Sequence, residues 1–144
     1  MKLSTRTRYG TRAMLELALN HNKGPLQTKI IAQHQNISVK YLEQLMSALK
    51  SGGFVRSIRG SKGGYVLAKP ANETKLSDVF NALEGPVITV ECLDNERYCE
   101  RVADCVARQV WAQVQQAIET ILESITLQDL VDRTKNTKTL DYQI

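Results

Sequence analysis

Every cysteine of this chain lies in one short acidic stretch, ECLDNERYCERVADC: Cys92, Cys99 and Cys105, with six residues in the first gap and five in the second. Three chemistries are open to such a trio. A metal or cluster site needs deprotonated sulfurs gathered by a loop, and these gaps suit a loop folding round a cluster better than the short ligand spacings of zinc fingers. A thiol switch needs exposed cysteines whose thiolate is favoured, and Arg97, Arg101 and Arg108 are close enough in sequence to favour it. The third possibility, buried and inert thiols, fits poorly because Cys92 and Cys99 sit among charged residues. No general-base histidine and no Cys-His pairing accompanies the cysteines, so a redox or metal enzyme is not indicated and the protein is expected not to be an enzyme.

Charge divides the chain in two. Residues 1–70 carry twelve Lys and Arg against only Glu16 and Glu43, a net of +10, whereas residues 71–144 carry seven basic and thirteen acidic side chains. A strongly basic half beside an acidic one points to a polyanionic partner for the first half alone. An odd cysteine count argues against a secreted disulfide framework. The start MKLSTRTRYG is basic without the apolar run of a secretory signal, and no stretch approaches the ~20 apolar residues of a membrane span. The expectation is a cytoplasmic protein with reduced thiols and no membrane partner.

The elements that must position these groups follow from periodicity. Tyr9, Ala13, Met14, Leu17 and Ala18 recur at helical spacing over residues 4 to about 20, with Ser4 or Thr5 as N-cap and Gly24-Pro25 as the stop. A short second helix is expected over residues 28–35. Ser38 caps a third, VKYLEQLMSALKS, with Leu42, Leu45, Met46 and Leu49 on its core face. Gly52-Gly53 ends it, and FVRSIRGSKGGYVLA reads as a β-hairpin with a basic, glycine-rich turn. Three helices followed by a basic hairpin is the order of a winged helix-turn-helix, whose third helix enters the major groove of DNA. The fold class expected is therefore mainly α with a small β-hairpin.

On the outer face of the third helix, Ser38, Lys40, Tyr41, Glu43, Gln44 and Ser47 are the candidate DNA contacts. Ser and Lys suit phosphates, Gln an adenine edge, and Glu a cytosine amino group. The turn residues Arg59, Gly60 and Lys62 complete the set, Arg59 being suited to a narrow minor groove. A nucleotide-binding loop is excluded by context, because a strand rather than a helix follows the turn.

After a linker at residues 70–75, LSDVFNALE forms a fourth helix, and residues 71–86 are read as linker and connecting helix. Residues 87–104 form the cysteine loop. Residues 105–132 hold a long helix, with Ala107, Val110, Val114, Ala117, Ile121 and Ile125 on one stripe and Trp111, Ile118 and Leu122 beside it, followed by a short helix opened by TLQD. So broad an apolar face is most simply buried against a second copy of itself. Residues 133–144 are expected to be a flexible tail.

The segments MKLSTRTRYGTRAMLELA, ISVKYLEQLMSALKSGGFVRSIRGSKGGYVLAKP and LSDVFNALEGP, three cysteines before a long helix, and TLQDL together resemble the Rrf-type bacterial transcription regulators. The likeness runs along residues 1 to about 132 and is closest to the iron-sulfur cluster regulators among them. It implies a homodimer with crossed long helices, each winged domain meeting one half of a pseudopalindromic double-stranded operator. It also implies that Cys92, Cys99 and Cys105 match the cluster cysteines, that the cofactor is a 2Fe-2S iron-sulfur cluster, that an iron-sulfur assembly scaffold is a candidate partner, and that cluster-assembly genes are repressed. Other members sense nitric oxide or cysteine metabolites, and a cluster-free thiol switch or zinc site is the alternative.

Two departures stand out. In the cluster regulators a histidine follows the last cysteine by three residues; Arg108 stands there, and it cannot ligate iron. Relatives that take a carboxylate from the partner's first helix do so at the position of Arg8, itself included among the DNA-contact candidates. The fourth ligand is left to Glu91, Asp94, Glu96, Glu100, Asp104, His34 or an exogenous small ligand.

Overall fold

The computed structural model describes residues 2–141. Helix α1, Thr5–Leu19, starts at Ser4, whose hydroxyl accepts from the Thr7 backbone N–H, and it buries Ala13, Met14, Leu17 and Ala18. Helix α2, Thr28–Gln35, stops at Asn36, which takes the left-handed conformation that asparagine tolerates. Helix α3, Val39–Ser51, is capped by Ser38 accepting from Tyr41 N–H. Its Leu42, Leu45, Met46 and Leu49 are fully buried, each stabilising the module by about 2 kcal/mol.

Strands β1, Val55–Ile58, and β2, Gly64–Leu67, pair antiparallel, with Val55 opposite Leu67 and Ile58 opposite Gly64. The hairpin is anchored next to its turn: Leu26 and Tyr65 exchange backbone hydrogen bonds of 3.0 and 2.9 Å. Gly64 sits there with φ +147°, and a Cβ on it would run into the Leu26 carbonyl. The close approach requires glycine.

Beyond a single 3-10 turn, Ala71–Glu73, comes α4, Leu76–Glu84. It crosses α1 where Gly10 leaves room for the Leu83 side chain, and Arg6 Nε donates to the Leu83 carbonyl at 3.0 Å. A short helix α5, Glu91–Asp94, and a 3-10 turn, Glu96–Tyr98, lie within the cysteine segment. Helix α6, Val106–Ser124, then runs for nineteen residues without burying one of them.

Helix α7, Leu127–Asp141, returns to the first module. Leu76 N–H donates to Ile125 O at 2.9 Å and Leu127 N–H to Thr74 O at 2.8 Å. Leu127 and Val131 are buried in the same core as Met14 and Leu45. The module therefore comprises α1–α4, the hairpin and α7, while α6 leaves it with Val106, Val110, Trp111, Val114 and Ile121 exposed. No helix among the described residues is long and apolar enough to cross a membrane.

One expectation is corrected. The segment from residue 133 is not a tail as far as residue 141 but the rest of α7. Thr126 and Asp129 form a reciprocal cap, Thr126 N–H to Asp129 Oδ2 at 2.8 Å and Asp129 N–H to Thr126 Oγ1 at 3.2 Å; Leu127, Leu130 and Val131 then pack on the core. Docking outweighs the modest helix propensity of the Asn- and Thr-rich continuation. The remaining tail positions, 142–144, lie outside the described residues.

Candidate nucleic-acid interface and sensor segment

The candidate reading face of α3 is built by its buried one. With Leu42, Leu45, Met46 and Leu49 locked in the core, Lys40, Glu43, Gln44 and Ser47 are left exposed on the far side. Ser38 is also exposed, but its hydroxyl already serves as the cap on Tyr41 N–H at 3.1 Å. Tyr41 is half-buried. Its hydroxyl donates to Thr5 Oγ1 at 3.0 Å, and its ring meets Tyr9 edge to face with centroids 6.3 Å apart. This ties the first turn of α3 to the first turn of α1, so Tyr41 holds the reading helix in place whatever else it touches. The sequence marks Thr5 only as a possible N-cap, a role Ser4 takes instead; nothing local marks a hydroxyl whose partner is thirty-six residues away.

Basic groups flank that face. The guanidinium carbons of Arg8 and Arg12 lie 5.9 and 5.5 Å from the Tyr9 ring centroid, which steadies both cations beside α3. At the hairpin tip Arg59, Gly60 and Lys62 are exposed, in a turn closed by Gly63 N–H to Gly60 O at 3.0 Å. Of the two acids in residues 1–70, Glu16 is turned inward, with Oε2 2.9 Å from His34 Nδ1 and Oε1 bonded by Gln35 Nε2. Of the two carboxylates in residues 1–70, Glu43 is thus the exposed one, on the candidate DNA-contact face of α3.

The cysteine segment lies along the first half of α6. Thr89 fastens its start, N–H to Gln115 Oε1 at 3.2 Å and Oγ1 to Trp111 O at 3.3 Å. Arg108 fastens its middle: Nε donates to Cys92 O at 3.2 Å, and Nη2 lies 3.9 Å from Glu96. The backbone N–H of the same residue donates to Cys105 Sγ at 3.4 Å, making Cys105 the N-cap of α6. The Glu96 carboxylate is 81% exposed, so that ion pair adds little. The sequence marks Arg108 as a cation near the thiols and as a residue that cannot bind iron; its strapping role depends on the turn of α6 that brings it over Cys92.

The three thiols are free, Cys92 and Cys105 half-buried and Cys99 exposed. Among the described residues no three His, Cys, Asp or Glu side chains come together to hold a metal ion. Glu91, Asp94, Glu100 and Asp104 are exposed, and His34 is engaged with Glu16 on the other module. The donor types suit a cluster, but their arrangement does not; this conformation does not fit one, and the segment would have to rearrange to bind it.

A packed route leads from this segment to the reading helix. Thr89 and Arg108 join the segment to α6, α6 packs on α4, α4 on α1 through Leu83 and Gly10, and α1 on α3 through Thr5 and Tyr41.

Comparison with known proteins agrees with this layout. Residues 3–133 match the model of the family Rrf2, described as iron-dependent transcriptional regulators. The HTH-type transcriptional regulator CymR of Bacillus subtilis is 42% identical over 134 residues, 93% of this chain and 92% of that protein. The solved structure of CymR, the global cysteine regulator of B. subtilis, superposes with a TM-score of 0.79 at 41% identity, covering 92% of this chain and 98% of its own. T. potens IscR gives the same TM-score of 0.79 at 36% identity, covering 95% and 90%. Regulators of this kind bind DNA as dimers and are not enzymes. The winged module, the uncovered long helix and these matches together establish that the chain belongs to the Rrf2 family of transcriptional regulators.

Proposed function

We propose that this regulator reads a pseudopalindromic operator as a homodimer joined through α6, under control of its cysteine segment. Arg8, Ser38, Lys40, Tyr41, Glu43, Gln44 and Ser47 meet one half-site, and Arg59, Gly60 and Lys62 reach the flanking groove. The observation that carries this reading is the exposed Lys40–Glu43–Gln44–Ser47 face within residues 1–70, whose net charge is +10. Glu43 and Gln44 supply base readout; the cations supply salt-dependent affinity.

Control by a 2Fe-2S cluster on Cys92, Cys99 and Cys105, repressing cluster-assembly genes, is the input favoured by the thiol count and position. It requires a donor such as an assembly scaffold and release of the Arg108 strap. A second reading is a cluster-free thiol switch, favoured by the free thiols and by the Arg108 backbone N–H that donates to Cys105 Sγ. In either case the segment alters DNA affinity only to the extent that its two states prefer different placements of α6 against α4.

Anaerobic purification followed by visible absorption, iron and sulfide analysis decides between them. A brown protein with matched iron and sulfide supports the cluster. A colourless protein carrying zinc, or one that changes DNA affinity on peroxide treatment without iron, supports the alternative.

A further inference from the structure

Val39 opens α3 and is 41% exposed. It belongs neither to the buried core nor to the apolar side chains packed against it, although Ile37 and Tyr41 on either side do pack there. Every other exposed side chain of α3 is polar: Lys40, Glu43, Gln44, Ser47, Lys50 and Ser51. A β-branched residue gains nothing for the helix at an exposed position. Its neighbour one turn on is Glu43, since residues four apart share a face.

We infer that Val39 is a specificity-determining residue that packs against a thymine methyl group in the major groove. The first turn of a recognition helix is the part that meets base edges, and the C5 methyl of thymine is the only apolar group presented there. Val39 and Glu43 are separated by roughly 6 Å along the helix axis, about two base-pair steps of 3.4 Å. The module therefore reads a thymine within about two base pairs of the cytosine whose amino group Glu43 accepts from. This inference rests on the DNA-reading role of α3 and adds to it a base that composition and charge do not reveal.

The test removes only the methyl group. Full-length protein is used to select double-stranded DNA from a random library, and each thymine of the selected site is replaced in turn by uracil. Wild-type protein should lose about fourfold in affinity per half-site at one symmetric thymine pair, the loss expected for one buried methyl. Val39→Ala should bind that site more weakly and show no response to uracil there, while keeping its sensitivity to changes at the cytosine read by Glu43. Val39→Thr, nearly the same shape, checks that the helix is intact, together with unchanged thermal melting. Uracil sensitivity of the same size in Val39→Ala, or no uracil-sensitive thymine in the wild type, overturns the inference while DNA reading by α3 stands. Failure to select any sequence overturns the reading itself and the inference with it.

Discussion

Arg108 Nε and the carbonyl oxygen of Cys92 are joined by a 3.2 Å hydrogen bond that straps the cysteine segment across the first turn of α6. The strap and a thiol-held cofactor are alternatives, because the segment cannot both remain tied down in this form and gather three thiols. Arg108→Ala removes the side-chain bond but keeps the backbone N–H that caps Cys105. Losing one such bond, about 1 kcal/mol, should raise the maleimide labelling rate of Cys92 roughly fivefold. Unchanged labelling would show that the strap does not restrain the segment.

The contact of Gly10 with Leu83 predicts an effect on stability. A methyl at position 10 would collide with the Leu83 side chain, which is only 4% exposed. Gly10→Ala should therefore destabilise the protein by about 1–3 kcal/mol in urea unfolding through overpacking. A neutral or stabilising result would mean that α1 and α4 can slide apart freely.

Next to the turn of the wing, Gly64→Ala should cost about 2 kcal/mol or more, because the positive φ and the Leu26 carbonyl both oppose a side chain. DNA affinity should fall with it as the hairpin loses its anchor. Circular dichroism melts and binding measured on the same samples check both effects, and wild-type behaviour in both would contradict the assigned backbone approach.

Arg59→Ala leaves the fold untouched, since Arg59 is exposed at the hairpin tip. Binding to the selected operator should weaken roughly tenfold at fixed salt. If Arg59 meets a phosphate, the log–log salt slope should also shrink by about 1. Equal affinity in a gel-shift titration would remove the wing from the interface.

Acid should loosen α7 in a defined way. The Asp129 carboxyl is held below its ordinary pKa of 3.8, chiefly by the Thr126 backbone N–H, then by the Thr126 hydroxyl, with Arg133 helping. A lowered folded-state pKa means that the stabilisation is present above the unfolded value and is lost as pH falls through the folded one. Asp129→Asn should melt below wild type at neutral pH, and the gap should close on acidification below about 4. A gap that stays constant with pH would show that the carboxylate charge does not contribute.

The reading module was legible because its signals are local and mutually consistent. Ser38 caps, Leu42 to Leu49 repeat at helical spacing, and the glycine-rich basic turn permits only a hairpin. What stayed hidden depended on distant partners. The Thr5–Tyr41 bond, the Leu83 seat at Gly10 and the docking of Leu127 and Val131 come from packing, which is why residues 133–141 read as a tail. The cysteine segment was visible as chemistry, but its strap was not, since Arg108 reaches Cys92 only after α6 has formed.

Control of operator affinity by the cysteine segment is tested most directly by one titration. The selected operator is bound by wild-type protein with the segment reduced and metal-free, then by the same protein after anaerobic iron and sulfide loading or peroxide treatment. At least one treatment should change affinity on the operator severalfold or more, and the change should vanish when Cys92, Cys99 and Cys105 are all replaced by alanine. Identical affinity in every state would contradict the sensor role and leave a DNA-binding regulator whose signal enters elsewhere.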